Sequence, residues 1–273
     1  GFVRIVQKDL AQAAKVEGKL REQARFSQTD AEASSLLKSL ADDGKGPGRS
    51  KELQPKGNHL GSESGWLFRF RRLFAKGVGG MNSAVLLDVL LRLLEVQRGS
   101  FLEIAGGVED QVSVPLAPSP FPFLRDYRLW EGVTVGATRR KEVDQISDPL
   151  VRRRCEETPQ HYICWEAVTP ENLVPLVQSL KAPRDVEVLG CLLGTLDFYL
   201  VAALLRGGYS PKVVLVSYNR NFGTRDSYAV LPELGNMWTS DCYYSASALA
   251  TQRLLKKHEY TVVAGDASGS YLL

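Results

Sequence analysis

One stretch, Val186–Asn219, constrains the fold more than any other: VEVLGCLLGTLDFYLVAALLRGGYSPKVVLVSYN. Val186–Leu193 is an apolar run of strand length. Leu196–Leu205 carries an apolar helical face, and Gly207-Gly208 ends it. Pro211 follows, and Val213–Val216 is a second, β-branched run. Two runs apolar on both faces, joined by a helix, make a βαβ unit and predict a parallel sheet.

The rest of the chain repeats that alternation. Ser83 or Asn82 can cap a buried helix over Ala84–Gln97, ended by Gly99, and Ser100–Ile104 reads as a strand. The prolines at 115, 118, 120 and 122 exclude a regular helix there and predict an irregular crossover. Gly132–Val135 and Tyr162–Val168 read as strands. Lys141–Asp148 and Pro149–Glu157 read as polar surface. Thr169 caps a helix with Pro170 at its first position, whose opening turns Pro175 should kink or delay. Ala246–Lys256 is a helix, Tyr260–Val263 a strand, and Ser270–Leu273 a last edge strand. The pattern predicts a doubly wound, mostly parallel, seven-stranded-type α/β sheet of Rossmann-like class.

Three segments divide the chain. Residues 1–41 read as a helical N-terminal extension, with Val3–Phe26 rich in helix formers and a second helix capped at Thr29 or Asp30. Its thin apolar stripe is expected to lie along a partner, with packing on the chain's own domain as the alternative. Residues 42–65, with their Gly, Pro, Ser and Asn, read as a linker, and 66–273 as the α/β domain. Trp66–Lys76 interleaves aromatics with Arg69, Arg71 and Arg72. As a helix it would put Trp66, Phe70 and Phe74 on one face, either packed on the chain's own core as an amphipathic connector or fit to meet an acidic protein partner, a membrane surface or RNA.

Composition limits the chemistry. A net charge of +3 is only mildly basic and does not demand nucleic acid. The four cysteines, Cys155, Cys164, Cys191 and Cys242, show no CxxC spacing, and the three histidines are scattered. Zinc is not expected, and reduced, partly buried thiols are. His161 and Cys164 lie three apart in a strand and should face opposite sides. No apolar run approaches the ~20 residues of a transmembrane helix. The chain begins at Gly1 rather than Met, as a processed or partial product would.

Residues from about 85 to 273 resemble the FkbM-type methyltransferase family. The resemblance rests on FLEIAGG at 101–107, LWEGVTVGA at 129–137, VTPENLVPLV at 168–177, the strand and helix of Val186–Leu205, PKVVLVSYN at 211–219 and the segment from Asp241 to Asp266. It implies the class I fold, S-adenosylmethionine as cofactor, and Glu103, Gly106, Gly107 and Asp197 as what remains of the cofactor site. Other positions depart from the family. Ala105 replaces the first loop glycine, and a later one falls near Val108 or Glu109. Gly136 stands where a carboxylate should hold the ribose. Cys191-Leu192-Leu193-Gly194 replaces an acidic turn, and Ser217 precedes Tyr218-Asn219 where Glu is usual.

The expectation is therefore a degenerate methyltransferase without catalytic residues, metal or bound cofactor, serving as an accessory subunit of a larger assembly. An intracellular, mitochondrial home suits it. The competing expectations are an active O- or N-methyltransferase, with Glu109 or Asp110 replacing the lost acid, and an RNA-binding scaffold using Arg69–Arg72 and Arg152–Arg154.

Overall fold

A computed structural model describes residues 24–38, 83–106, 119–137, 154–157, 161–166, 168–223, 225–231, 244–265 and 271–272. Its centre is one sheet built from β1 (Ser100–Gly106), β2 (Glu131–Ala137), β3 (Arg154–Glu157), β4 (His161–Glu166), β5 (Val188–Leu192), β6 (Val213–Ser217) and β7 (Tyr271–Leu272). The strands lie in the order β3-β4-β2-β1-β5-β6-β7. The inner five are parallel, and β3 and β7 pair antiparallel at the edges. This is a Rossmann-like α/β fold. The βαβ unit lies where its sequence puts it: every residue of β5 and β6 is buried, so both strands read as unbroken apolar runs.

Alternation along the strands sorts the core into two layers. One face carries Phe101, Val188, Leu192, Val213 and Leu215 and is covered by helix α1 (24–38), helix α2 (Ser83–Leu93) and a π-helical turn, Phe123–Tyr127. The other carries Leu102, Ile104, Val133, Val135, Leu189, Val214 and Val216. It is covered by α3 (Leu173–Ser179), α4 (Asp197–Arg206) and α5 (Ala248–Lys257). Cys164 belongs to this second layer, whereas the His161 ring meets Phe101 in the first. The two side chains do face opposite sides.

Two glycines make room for rings on the first face. A Cβ on Gly132 would stand 2.1 Å from the Phe101 ring, and one on Gly190 would stand 2.2 Å from the Phe121 ring. The rings therefore lie directly on strand backbone, one beside the other with centroids 5.3 Å apart. Strand glycines of this kind mark close approach rather than a turn.

Helix α1 departs from expectation. Thr29 and Asp30 are not caps; the helix runs through both. The Thr29 hydroxyl donates to the Arg25 carbonyl one turn back at 3.1 Å, a bond that lets Thr sit inside a helix. Phe26 and Ala33 are buried in the first layer, with Phe26 edge-on to Phe123 at 5.9 Å. The stripe of this helix is thus used on the chain's own sheet domain. Charge fastens the same joint. Asp88, fully buried on α2, pairs with Arg128, and its other oxygen lies 2.8 Å from Arg92. Arg92 in turn pairs with Asp30 and donates to the Ser34 hydroxyl at 3.0 Å.

Other boundaries shift for identifiable reasons. Helix α2 stops at Leu93, before Gly99, because Glu95 takes a left-handed φ of 57° and the Val96 N–H returns to the Leu91 carbonyl. Arg154–Glu157, expected as surface, pairs with β4 as the outer strand. Tyr260–Val263 joins no ladder, and the Tyr260 hydroxyl instead donates to the Pro211 carbonyl at 2.6 Å. Pro175 does delay its helix: Thr169 and Asn172 exchange hydrogen bonds at 2.7 and 3.3 Å across a turn, and α3 starts only at Leu173. The cysteine expectation is corrected as well. Cys164 is disulfide-bonded, and Cys191 is a buried free thiol. Trp66–Lys76, Gly107–Asp110 and Arg152 lie outside the described residues. Among the described residues no helix is long and apolar enough to cross a membrane.

Candidate functional site at the carboxyl edge of the sheet

The chain leaves β1 in one direction through β2 to β4, then returns to fill β5 and β6 on the other side. The order reverses between β1 and β5. In open sheets of this kind, ligands bind in the crevice outside the carboxyl ends of the strands at that reversal. The described residues there are Ala105–Gly106 of β1, Gly136–Ala137 of β2, Leu192 at the end of β5 with Leu193–Gly194 after it, and Ser217 at the end of β6 with Tyr218–Asn219 after it. Ala105 sits in register between Gly136 and Leu192. None of these three has a polar side chain.

Asp197, which opens α4 after β5, is turned inward. Its Oδ1 accepts the Leu193 N–H at 2.6 Å, and its Oδ2 accepts the Thr195 N–H at 2.7 Å. The Ser217 hydroxyl donates to it as well, and accepts the Gly194 N–H at 3.2 Å. Gly194 turns the loop with a left-handed φ of 73°. Asp197 therefore clamps the β5–α4 loop to the end of β6 and is fully buried. Asn219 is committed in the same way. Its Oδ1 accepts the Asn221 N–H at 2.9 Å, and its Nδ2 donates to the Tyr244 carbonyl at 2.9 Å.

Glu103 lies deeper, at mid-strand. Ser119 donates to one carboxyl oxygen at 2.7 Å and Thr134 to the other at 3.0 Å. The Thr134 oxygen is 2.8 Å from His161 Nε2. Burial holds the Glu103 carboxyl above its ordinary range, and the hydroxyls of Ser119 and Thr134 pull against that. Burial, then the Arg125 charge, pushes His161 down to about 4. The ring is therefore neutral near pH 7, and a directed chain is assigned: Nε2–H to Thr134, then O–H to Glu103. Ser119, Thr134 and His161 carry no sequence signal of this role. The register of β1, β2 and β4 aligns Glu103, Thr134 and His161, and the segment leading into the π-helical turn brings Ser119 to them.

Of the expected site residues, Glu103 and Asp197 are held by internal donors, and Gly106 closes β1 opposite Ala137. Gly107 lies outside the described residues. Among the described residues there is no cluster of three or more His, Cys, Asp or Glu able to hold a metal. No protein-family model, curated protein or solved structure matches the chain.

The buried groups give opposed pH dependences. Burial raises Asp197 from 3.8 to about 6, against the pull of its hydrogen bonds. Its contribution to stability is full below the unfolded value and is lost as pH rises through the folded one. The swing is on the order of 3 kcal/mol. Glu103, also raised, has the same sign. His161, depressed, contributes above its unfolded value of 6.5 and loses that contribution as pH falls through about 4. Urea unfolding across pH 4–7 should therefore show the cost of Asp197→Asn shrinking by about that amount, while the cost of His161→Asn grows. Parallel shifts for both variants would contradict the assignment.

Proposed function

We propose that this chain is a methyltransferase-like scaffold that has given up the methyl donor and serves as an accessory subunit of a larger assembly. One observation supports this reading above the others. The two carboxylates expected in a cofactor site, Glu103 and Asp197, have their oxygens committed to internal donors. Beside them, Gly136 and Cys191–Leu193 offer no side-chain carboxylate for ribose hydroxyls. A charge-assisted hydrogen bond contributes about 1.5–3 kcal/mol. Two lost contacts therefore weaken binding by roughly two to four powers of ten. The described residues do not fit S-adenosylmethionine, and no catalytic step is assigned to them.

An active methyltransferase is the second reading. The reversal of strand order between β1 and β5 favours it, because that crevice is where nucleotide cofactors sit in related sheets. Untagged purification from the source separates the two. The scaffold reading predicts elution with a defined larger complex, well above the 30.2 kDa of the chain. A free monomer that transfers labelled methyl groups to an acceptor would replace it with the second.

A further inference from the structure

We infer that Cys164 is bridged to Cys155 and that the chain matures in an oxidising compartment. Cys164 is disulfide-bonded, and the antiparallel β3–β4 register sets Cys155 directly opposite it. Opposed residues in such a pair have Cα atoms about 4.5–5.5 Å apart, within the span of a disulfide. Cys191 is excluded as the partner. It lies in the same cross-strand row, Cys164–Val135–Ile104–Cys191, but three ladder steps away. Three steps are about 14 Å, twice the reach of the bond. Cys191 is also a free thiol, buried in the second core layer.

The bridge has a structural task. β3 is a four-residue outer strand with no neighbour on its far side in the sheet order. Such a strand is weakly held by its ladder alone. The hairpin it completes supplies Glu157, His161 and Tyr162 to one wall of a cavity of about 460 Å³, at the amino ends of β1 and β2. Glu131 and Lys181 line the same cavity. Fastening β3 to β4 fixes that wall. In forming the bond, the two thiols lose two protons and two electrons to a disulfide oxidant, such as glutathione disulfide or the disulfide of a thiol oxidoreductase. That oxidant leaves as two thiols. Disulfides of this kind form and persist outside the reducing cytosol.

The test is chemical and uses the full chain from the cells that make it. The protein is quenched in acid, alkylated without reduction and digested with trypsin. Cys155 and Cys164 share one tryptic peptide, Cys155–Lys181, which has no internal Lys or Arg. It should be unalkylated and two hydrogens lighter than the dithiol form. Cleavage after Glu156 or Glu157 should leave two pieces joined until reduction. Alkylation of both cysteines without reduction would overturn the inference, as would linkage of Cys164 to Cys242. A second readout does not depend on the source. Dithiothreitol should lower the thermal midpoint of the wild-type protein and leave that of the C155S/C164S variant unmoved; an equal response in both would count against the bridge.

Discussion

Replacing Gly190 with valine should unfold the domain at temperatures the wild-type protein withstands. The added Cβ would stand 2.2 Å from Phe121 Cε2 and 2.3 Å from Cζ. The ring has no room to retreat: Phe121 is 1% exposed and packs on Phe101, itself lodged over Gly132. Overpacking a core costs about 1–3 kcal/mol when side chains can shift, and more when they cannot. We expect more than about 3 kcal/mol here, a fall in thermal midpoint of roughly 6–12 °C for a domain of this size. The cause is room, not backbone freedom, because Gly190 is in regular strand. A milder pair isolates it. Gly190→Ala should be destabilising alone and partly rescued by Phe121→Leu, with a double-mutant coupling of about 1 kcal/mol or more. Additive costs would show that the ring and the glycine do not share the space.

The second large effect is at Asp88. Its carboxylate is fully buried between Arg92 and Arg128, which are themselves only 27% and 21% exposed. Asp88→Ala would leave Arg128 without its anion and Arg92 with only Asp30, and breaking a buried ion set in this way costs about 3–5 kcal/mol. Arg92 also holds Asp30, so the damage should reach α1. Hydrogen exchange is the discriminating measurement. Amides of residues 24–38 should lose protection in Asp88→Ala before those of β5 and β6 do. Asp88→Leu combined with Arg92→Met and Arg128→Met should recover much of the stability, because well-packed apolar groups can replace a buried ion set. Unchanged exchange over 24–38 would mean that helix α1 docks by its apolar stripe alone.

What the sequence reveals and conceals follows from what hydrophobic pattern measures. Pattern reports burial. β5, α4 and β6 were legible because the strands are buried on both faces and the helix carries a clear apolar side. β3 was not, because Arg154-Cys155-Glu156-Glu157 is a polar outer strand whose only cue is its partner. Tyr260–Val263 misled in the opposite direction: Val262 and Val263 are half-buried against the core but join no ladder. The docking of α1 rests on Phe26, Ala33 and an ion network linking Asp30, Asp88 and Arg128, contacts spread over about a hundred positions of chain. No local pattern encodes such a contact. At the candidate site the sequence shows which residue types are absent. Gly136 and Leu193 have no side-chain acceptor whatever the fold. It does not show where the remaining acids point. That Asp197 clamps its own loop, and that Glu103 joins Thr134 and His161 beneath the ring of Phe101, depends on register.

Central to the proposed function is that Asp197, Ser217 and Asn219, bonded within the chain at the strand reversal, no longer grip a nucleoside. Isothermal titration of the full chain with S-adenosylmethionine near pH 7 tests it directly. The account predicts no saturable heat up to millimolar ligand. Saturable micromolar binding at one site per chain would contradict it.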